Sequence, residues 1–176
     1  MIILNKIIHC DINPRNILLD DIYRPRISNF RLAKLLIPDE VLTRTGIRGI
    51  KGYVAPEWFQ SMPITLEVDV YSFGVVSLEI ISCRRCVEIA WGAEEKAILT
   101  DWAYDCYRDG TLEDLVEKDE EAMRDKKRLL TLVMIAIWCI KENLLFRPTM
   151  KKVTLMLEGV VLVPFPPSPY PFNSYS

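Results

Sequence analysis

His9-Cys10-Asp11-Ile12-Asn13-Pro14-Arg15-Asn16 sets an aspartate and an asparagine five positions apart among residues common in loops. Outward from it, Ile17 to Leu19 and Arg26 to Ser28 are short apolar or mixed runs. Asp20-Asp21 and Pro25 lie between them, which predicts a small hairpin. Pro38 to Gly52 carries three glycines and no periodicity, and reads as a long loop. After Pro63 the pattern becomes helical. Val68, Tyr71, Val75 and Leu78 mark one face, and Val70, Phe73, Val76 and Ile80 fill others. A helix apolar nearly all round belongs in the centre of a core. Asp69 opens that helix, where a buried carboxylate needs donors and gains from the helix dipole. Its partner must therefore be a segment with free backbone N–H groups.

Further along, Ile98 to Tyr107 reads as an amphipathic helix and Glu113 to Asp125 as a solvated acidic surface. Arg128 to Ile140 is a second nearly continuous apolar helix. A last helix runs from an N-cap at Thr149 to a stop at Gly159. Five prolines after residue 160 predict a flexible or extended tail over 161–176, so the packed domain is placed at 1–160. The predicted class is mainly α with one short β-hairpin.

Composition bounds the function. Half of the 176 residues are hydrophobic and 26% charged, the balance of a globular domain and not of a disordered one. A net charge of -2 argues against an electrostatic grip on nucleic acid. The five cysteines are scattered, which suits a reducing compartment. The lone pair Cys83 and Cys86 reads as structural, because His9 is the single histidine available to complete a metal site. The longest apolar run, Leu132 to Ile140, falls well short of the ~20 residues that cross a bilayer. The expected location of the chain is cytoplasmic unless a longer polypeptide anchors it.

Five landmarks carry a specific resemblance. After the Asp11…Asn16 loop come Asn29-Phe30-Arg31, Ala55-Pro56-Glu57, Asp69 at the head of the apolar helix, and Arg147-Pro148 before the last helix. Their order and spacing match the signature set of protein kinases from the catalytic loop onward. The runs HCDINPRNILLD, GYVAPEW, DVYSFGVVSLEI and RPTMKKV resemble plant receptor-like serine/threonine kinases, nearest the G-type lectin S-receptor-like group, from His9 to Gly159. The resemblance implies a kinase-like fold, C-terminal lobe only, without the N-terminal lobe. It makes Asp11 the catalytic base, Asn16 a metal ligand and brace, and His9 structural. Asp69 would bind N–H groups of the catalytic loop, and Glu57 and Arg147 would form an ion pair tying the activation segment down. Thr43 and Thr45 are candidate phosphate acceptors.

The sequence also departs from that family. Its cofactors are ATP and Mg²⁺, yet Asn29 replaces the chelating aspartate and Asn13 the lysine that reaches the transferring phosphate. Arg31 stands for a glycine, and Ile50 for a threonine. No G-x-G-x-x-G occurs. Removing one well-placed polar group costs ~10²–10³ in rate. The expectation is an inactive kinase lower lobe that binds neither cofactor productively. The alternatives are a scaffold or decoy that engages an intact receptor-like kinase or its protein substrate, and a fragment of a longer, complete kinase.

Overall fold

The computed structural model describes residues 6–36, 52–60, 63–86 and 98–170. Helix α1 (Glu67–Ser82) is the axis on which the rest is assembled. One side of it, Val75 and Leu78, packs with Leu99 and Ala103 of α2 (Leu99–Asp109) and with Val133, Ala136 and Ile137 of α5 (Lys126–Cys139). Another side, Val70, meets Ile135, Cys139, and Val153 and Met156 of α6 (Met150–Leu157). Its first turn, through Val68, joins Ile8, Cys10, Ala55, Trp58 and Ile64. Three apolar clusters thus share one helix, which is the packing that its all-round hydrophobicity requires. Contact with α5 is close because residue 74 is glycine. A Cβ there would lie 2.6 Å from the Cβ of Cys139 and 2.8 Å from Ile140 Cγ2. One stripe of α1 departs from the expectation of complete burial, since Ile80 is 72% exposed.

The expected hairpin is present, shifted by one residue on its second strand: β2 (Ile17–Leu19) pairs antiparallel with β3 (Pro25–Ile27). Pro25 occupies the strand's first position, which an imino acid tolerates. Ser28 leaves the ladder, its N–H donating 2.8 Å to Asn16 O. Asp20 Oδ1 holds the turn by accepting from the N–H groups of Ile22 and Arg24. A second ribbon, β1 (Lys6–Ile8) against β4 (Lys34–Leu36), was not anticipated; three-residue strands far apart in sequence carry too little pattern to be read.

Glu113 to Asp125 is more structured than a solvated surface. Short helices α3 (Leu112–Leu115) and α4 (Glu120–Met123) form there, and Leu115 is fully buried. Asp125 caps α5 by accepting from Arg128 N at 2.9 Å, so that helix starts earlier than the apolar pattern. Thr149 caps α6 through Lys152 N at 3.3 Å, and Gly159 follows it at φ +72°.

The tail expected to be flexible or extended runs without helix or strand from residue 162 to Tyr170, and it is tied to the core by hydrogen bonds. Trp138 Nε1 donates to Pro164 O at 2.9 Å, Lys141 Nζ to Pro167 O at 2.7 Å and to Ser168 O, and Glu142 N to Pro169 O at 3.0 Å. Prolines exclude a helix, but they leave their carbonyls free to accept, and α5 and the residues after it supply the donors. Residues 171–176 lie outside the described residues.

Candidate active site

Asp69 and the start of the loop are joined directly. His9 N–H donates to Asp69 Oδ2 at 2.6 Å and Cys10 N–H to Oδ1 at 2.9 Å. Cys10 sits at φ +65°, a left-handed conformation unfavourable for cysteine, and these two bonds hold the turn in place. Burial pushes the Asp69 carboxyl above the ordinary aspartate range, partly opposed by the two N–H donors. Burial, reinforced by Asp69, also pushes the Cys10 thiol up to about 11.

His9 is buried and both ring nitrogens are engaged. Nε2 lies 2.9 Å from Ser28 O and Nδ1 accepts from Asp11 N at 3.2 Å. A carbonyl only accepts, so the proton sits on Nε2 and the ring is a splint between the loop and Ser28. Phe30 packs edge-on against it at 4.8 Å between centroids.

The Asp11 carboxylate is held from both sides. Asn13 Nδ2 donates to Oδ1 at 3.1 Å and Asn16 Nδ2 to Oδ2 at 2.9 Å, and both amides also reach Asp11 O. Asn13 is almost fully buried, and its Oδ1 accepts from Arg15 N at 3.0 Å, capping the single 3₁₀ turn Pro14–Asn16. Asn29, in left-handed backbone (φ 65°, ψ 58°), donates from Nδ2 to Asn16 Oδ1 at 3.2 Å. Arg31 is exposed in the following 3₁₀ turn. Asp11, Asn13, Asn16 and Asn29 thus form one continuous chain of hydrogen bonds.

Glu57 and Arg147 meet as a bidentate pair, Nη1–Oε1 at 2.7 Å and Nη2–Oε2 at 3.1 Å, with both side chains buried. Arg147 also donates to Glu67 O at 2.6 Å and to Lys141 O at 2.9 and 2.8 Å, and its guanidinium lies 5.2 Å from the Tyr71 ring. It therefore ties the Ala55-Pro56-Glu57 segment to the start of α1 and the end of α5.

Asp69 meets the N–H groups of His9 and Cys10, and Glu57 meets Arg147, as the sequence resemblance implies. The model of the protein kinase domain matches residues 2–156. The chain belongs to the protein kinase domain family. It is 56% identical over 97% of its length to the G-type lectin S-receptor-like serine/threonine-protein kinase RLK1 of Arabidopsis thaliana, of which it covers 20%. It is 54% identical over 96% of its length to the G-type lectin S-receptor-like serine/threonine-protein kinase LECRK1 of Oryza sativa subsp. indica, covering 21% of it. The chain thus spans about a fifth of the length of the curated relatives it matches.

In kinase terms the described residues form a mainly helical lower lobe with small antiparallel ribbons, and no helix among them is long and apolar enough to cross a membrane. Thr43, Thr45 and Ile50 lie outside the described residues. Cys83 is exposed at the end of α1 and Cys86 is buried, its N–H donating to Glu79 Oε1 at 2.5 Å. Ser28 is the participant that sequence reading missed. Its carbonyl receives His9, and its N–H and Oγ both donate to Asn16 O. A serine before the Asn29-Phe30-Arg31 landmark carried no signal of its own, because its contribution is mostly backbone.

Proposed function

We propose that this chain is a kinase lower lobe of the receptor-like serine/threonine type that keeps its catalytic-loop architecture and does not transfer phosphate. The observation carrying this reading is the Asn29–Asn16 hydrogen bond. In the family, Asn16 and the residue at position 29 would present two oxygens to Mg²⁺, and Asp11 would take the proton of the attacking hydroxyl. Here Asn16 Oδ1 is already engaged by an N–H. Hard divalent ions favour charged oxygen ligands, and an amide supplies no charge. The residues present do not fit Mg²⁺.

The phosphate side is altered as well. A lysine at position 13 would carry a cation toward the transferring group. Asn13 instead turns its amide onto the Asp11 carboxylate. Asp11 keeps its place as the base position, but the cation that a lysine at position 13 would bring to a phosphoryl group is replaced by a neutral amide.

The test is transfer of label from γ-labelled ATP to a basic protein substrate by the full chain with Mg²⁺, beside an Asp11→Ala control. The expected result is incorporation equal to the control. Label that depends on Asp11 would overturn the proposal.

A second reading, a scaffold or decoy binding an intact receptor-like kinase or its substrate, draws support from the β2–β3 ribbon. Leu18, Leu19 and Ile27 there are each more than half exposed, an unusual density of apolar surface. Membrane association would come only through a longer receptor.

A further inference from the structure

We infer that the Asn29 side-chain amide stands in for a divalent cation, so that this loop is assembled without metal and the single exchange Asn29→Asp makes its assembly metal-dependent. The inference rests on reading the loop as the counterpart of a kinase catalytic loop, and goes beyond loss of activity to what replaced the ion.

Donor and acceptor chemistry fixes every orientation in the chain of bonds. The Asp11 carboxylate and carbonyl only accept, so Asn16 must turn its NH₂ toward them. Asn16 Oδ1 then faces Asn29, which must answer with N–H. Position 29 is held from the backbone, because the preceding Ser28 is bonded to Asn16 O through its N–H and to His9 through its carbonyl. Its left-handed conformation is one that asparagine and aspartate tolerate better than most residues. The side chain therefore arrives at this spot regardless of which of the two it is.

The spacing is that of two ligands on one ion. An octahedral Mg²⁺ or Mn²⁺ with oxygens at about 2.1 Å places neighbouring oxygens about 3.0 Å apart. Asn29 Nδ2 and Asn16 Oδ1 are 3.2 Å apart. With aspartate at 29, an isosteric oxygen would replace Nδ2, and two acceptors would face each other near the Asp11 charge. A cation between them relieves that conflict; in its absence, the loop loses a bond and gains repulsion.

Thermal unfolding of the full chain in chelator and in millimolar Mn²⁺ tests this. The wild type should melt at the same temperature in both, within about 1 °C. Asn29→Asp should melt about 2–8 °C lower in chelator and recover in Mn²⁺. Asn29→Ala should be lowered in both conditions without recovery. A Mn²⁺-dependent rise in the wild type matching that of Asn29→Asp would overturn the inference. So would an Asn29→Asp protein as stable as wild type in chelator, or one that Mn²⁺ does not restore. Should Asn29→Asp fail to fold in chelator, the wild type carries the test by NMR. Its Asn16 and Asn29 side-chain amides should be broadened by Mn²⁺ no more than that of Asn143, and selective broadening refutes the clasp. Label transfer without any Mn²⁺ response would sink the functional proposal alone, and a Mn²⁺ response without transfer would sink only this inference.

Discussion

Truncating either member of the Glu57–Arg147 pair to alanine should destabilise the lobe, and Arg147→Ala should cost more than Glu57→Ala. Both side chains are removed from water, at 0% and 1% exposure, so each loss leaves a charge without a counterion. Breaking such a buried pair costs about 3–5 kcal/mol, which sets the expectation for Glu57→Ala. After that change Arg147 still has the carbonyls of Glu67 and Lys141. The reverse change strands the Glu57 carboxylate and both carbonyls together. An unsatisfied buried acceptor costs roughly 1–3 kcal/mol, so Arg147→Ala should exceed Glu57→Ala by at least about 1 kcal/mol. Urea unfolding followed by tryptophan fluorescence reads this, since Trp58 adjoins Glu57 and is buried. With a slope of about 2 kcal/mol per M, a 4 kcal/mol loss moves the midpoint by about 2 M. Arg147→Lys keeps the charge without the planar fork and should fall between wild type and alanine. The double alanine variant should lose less than the sum, because no lone charge remains. Glu57→Ala proving the costlier single change, or either costing under about 1 kcal/mol, would refute the reasoning.

Two further outcomes follow from burial. Asp69 has its folded-state pKa raised by burial above the ordinary 3.8, so between that value and the raised one the folded state holds more protons than the unfolded chain. Its contribution is then fully present below 3.8 and declines as pH rises through the folded value; stability of wild type relative to Asp69→Asn should fall over that interval, and a rise would contradict it. Thiol labelling at pH 8 should show one fast group, Cys83, because Cys10, Cys86, Cys106 and Cys139 are buried and Cys86 and Cys139 are each pushed up to about 12. Cys83→Ser should abolish the fast phase, and persistence of that phase would show that a buried thiol opens readily.

The helices were legible because their signals are local. Apolar periodicity marked α1 and α5, Thr149 and Gly159 bracketed α6, and Pro25 with Asp20 framed the hairpin. The need of Asp69 for backbone donors was also legible, from a carboxylate at the head of an apolar helix. What local character could not show were the contacts made in the tertiary structure. The proline-rich stretch through Tyr170 lacks helical or strand pattern, yet its free carbonyls are drawn onto Trp138, Lys141 and the N–H of Glu142. Leu115 sits in an acidic segment that looks solvated, and is buried because α3 is pressed onto the core.

The sequence alone sets the residue types at positions 11, 13, 16 and 29, with a neutral amide at 13 and at 29. Where those side chains point was decided only in three dimensions. An asparagine has both a donor and an acceptor end, and its direction depends on partners that the chain brings up from elsewhere. Folding sets Asp11 against Asn13 and Asn16, and Ser28 and His9 carry Asn29 to Asn16. The result is a hydrogen bond between Asn29 and Asn16, a relation that no single position encodes.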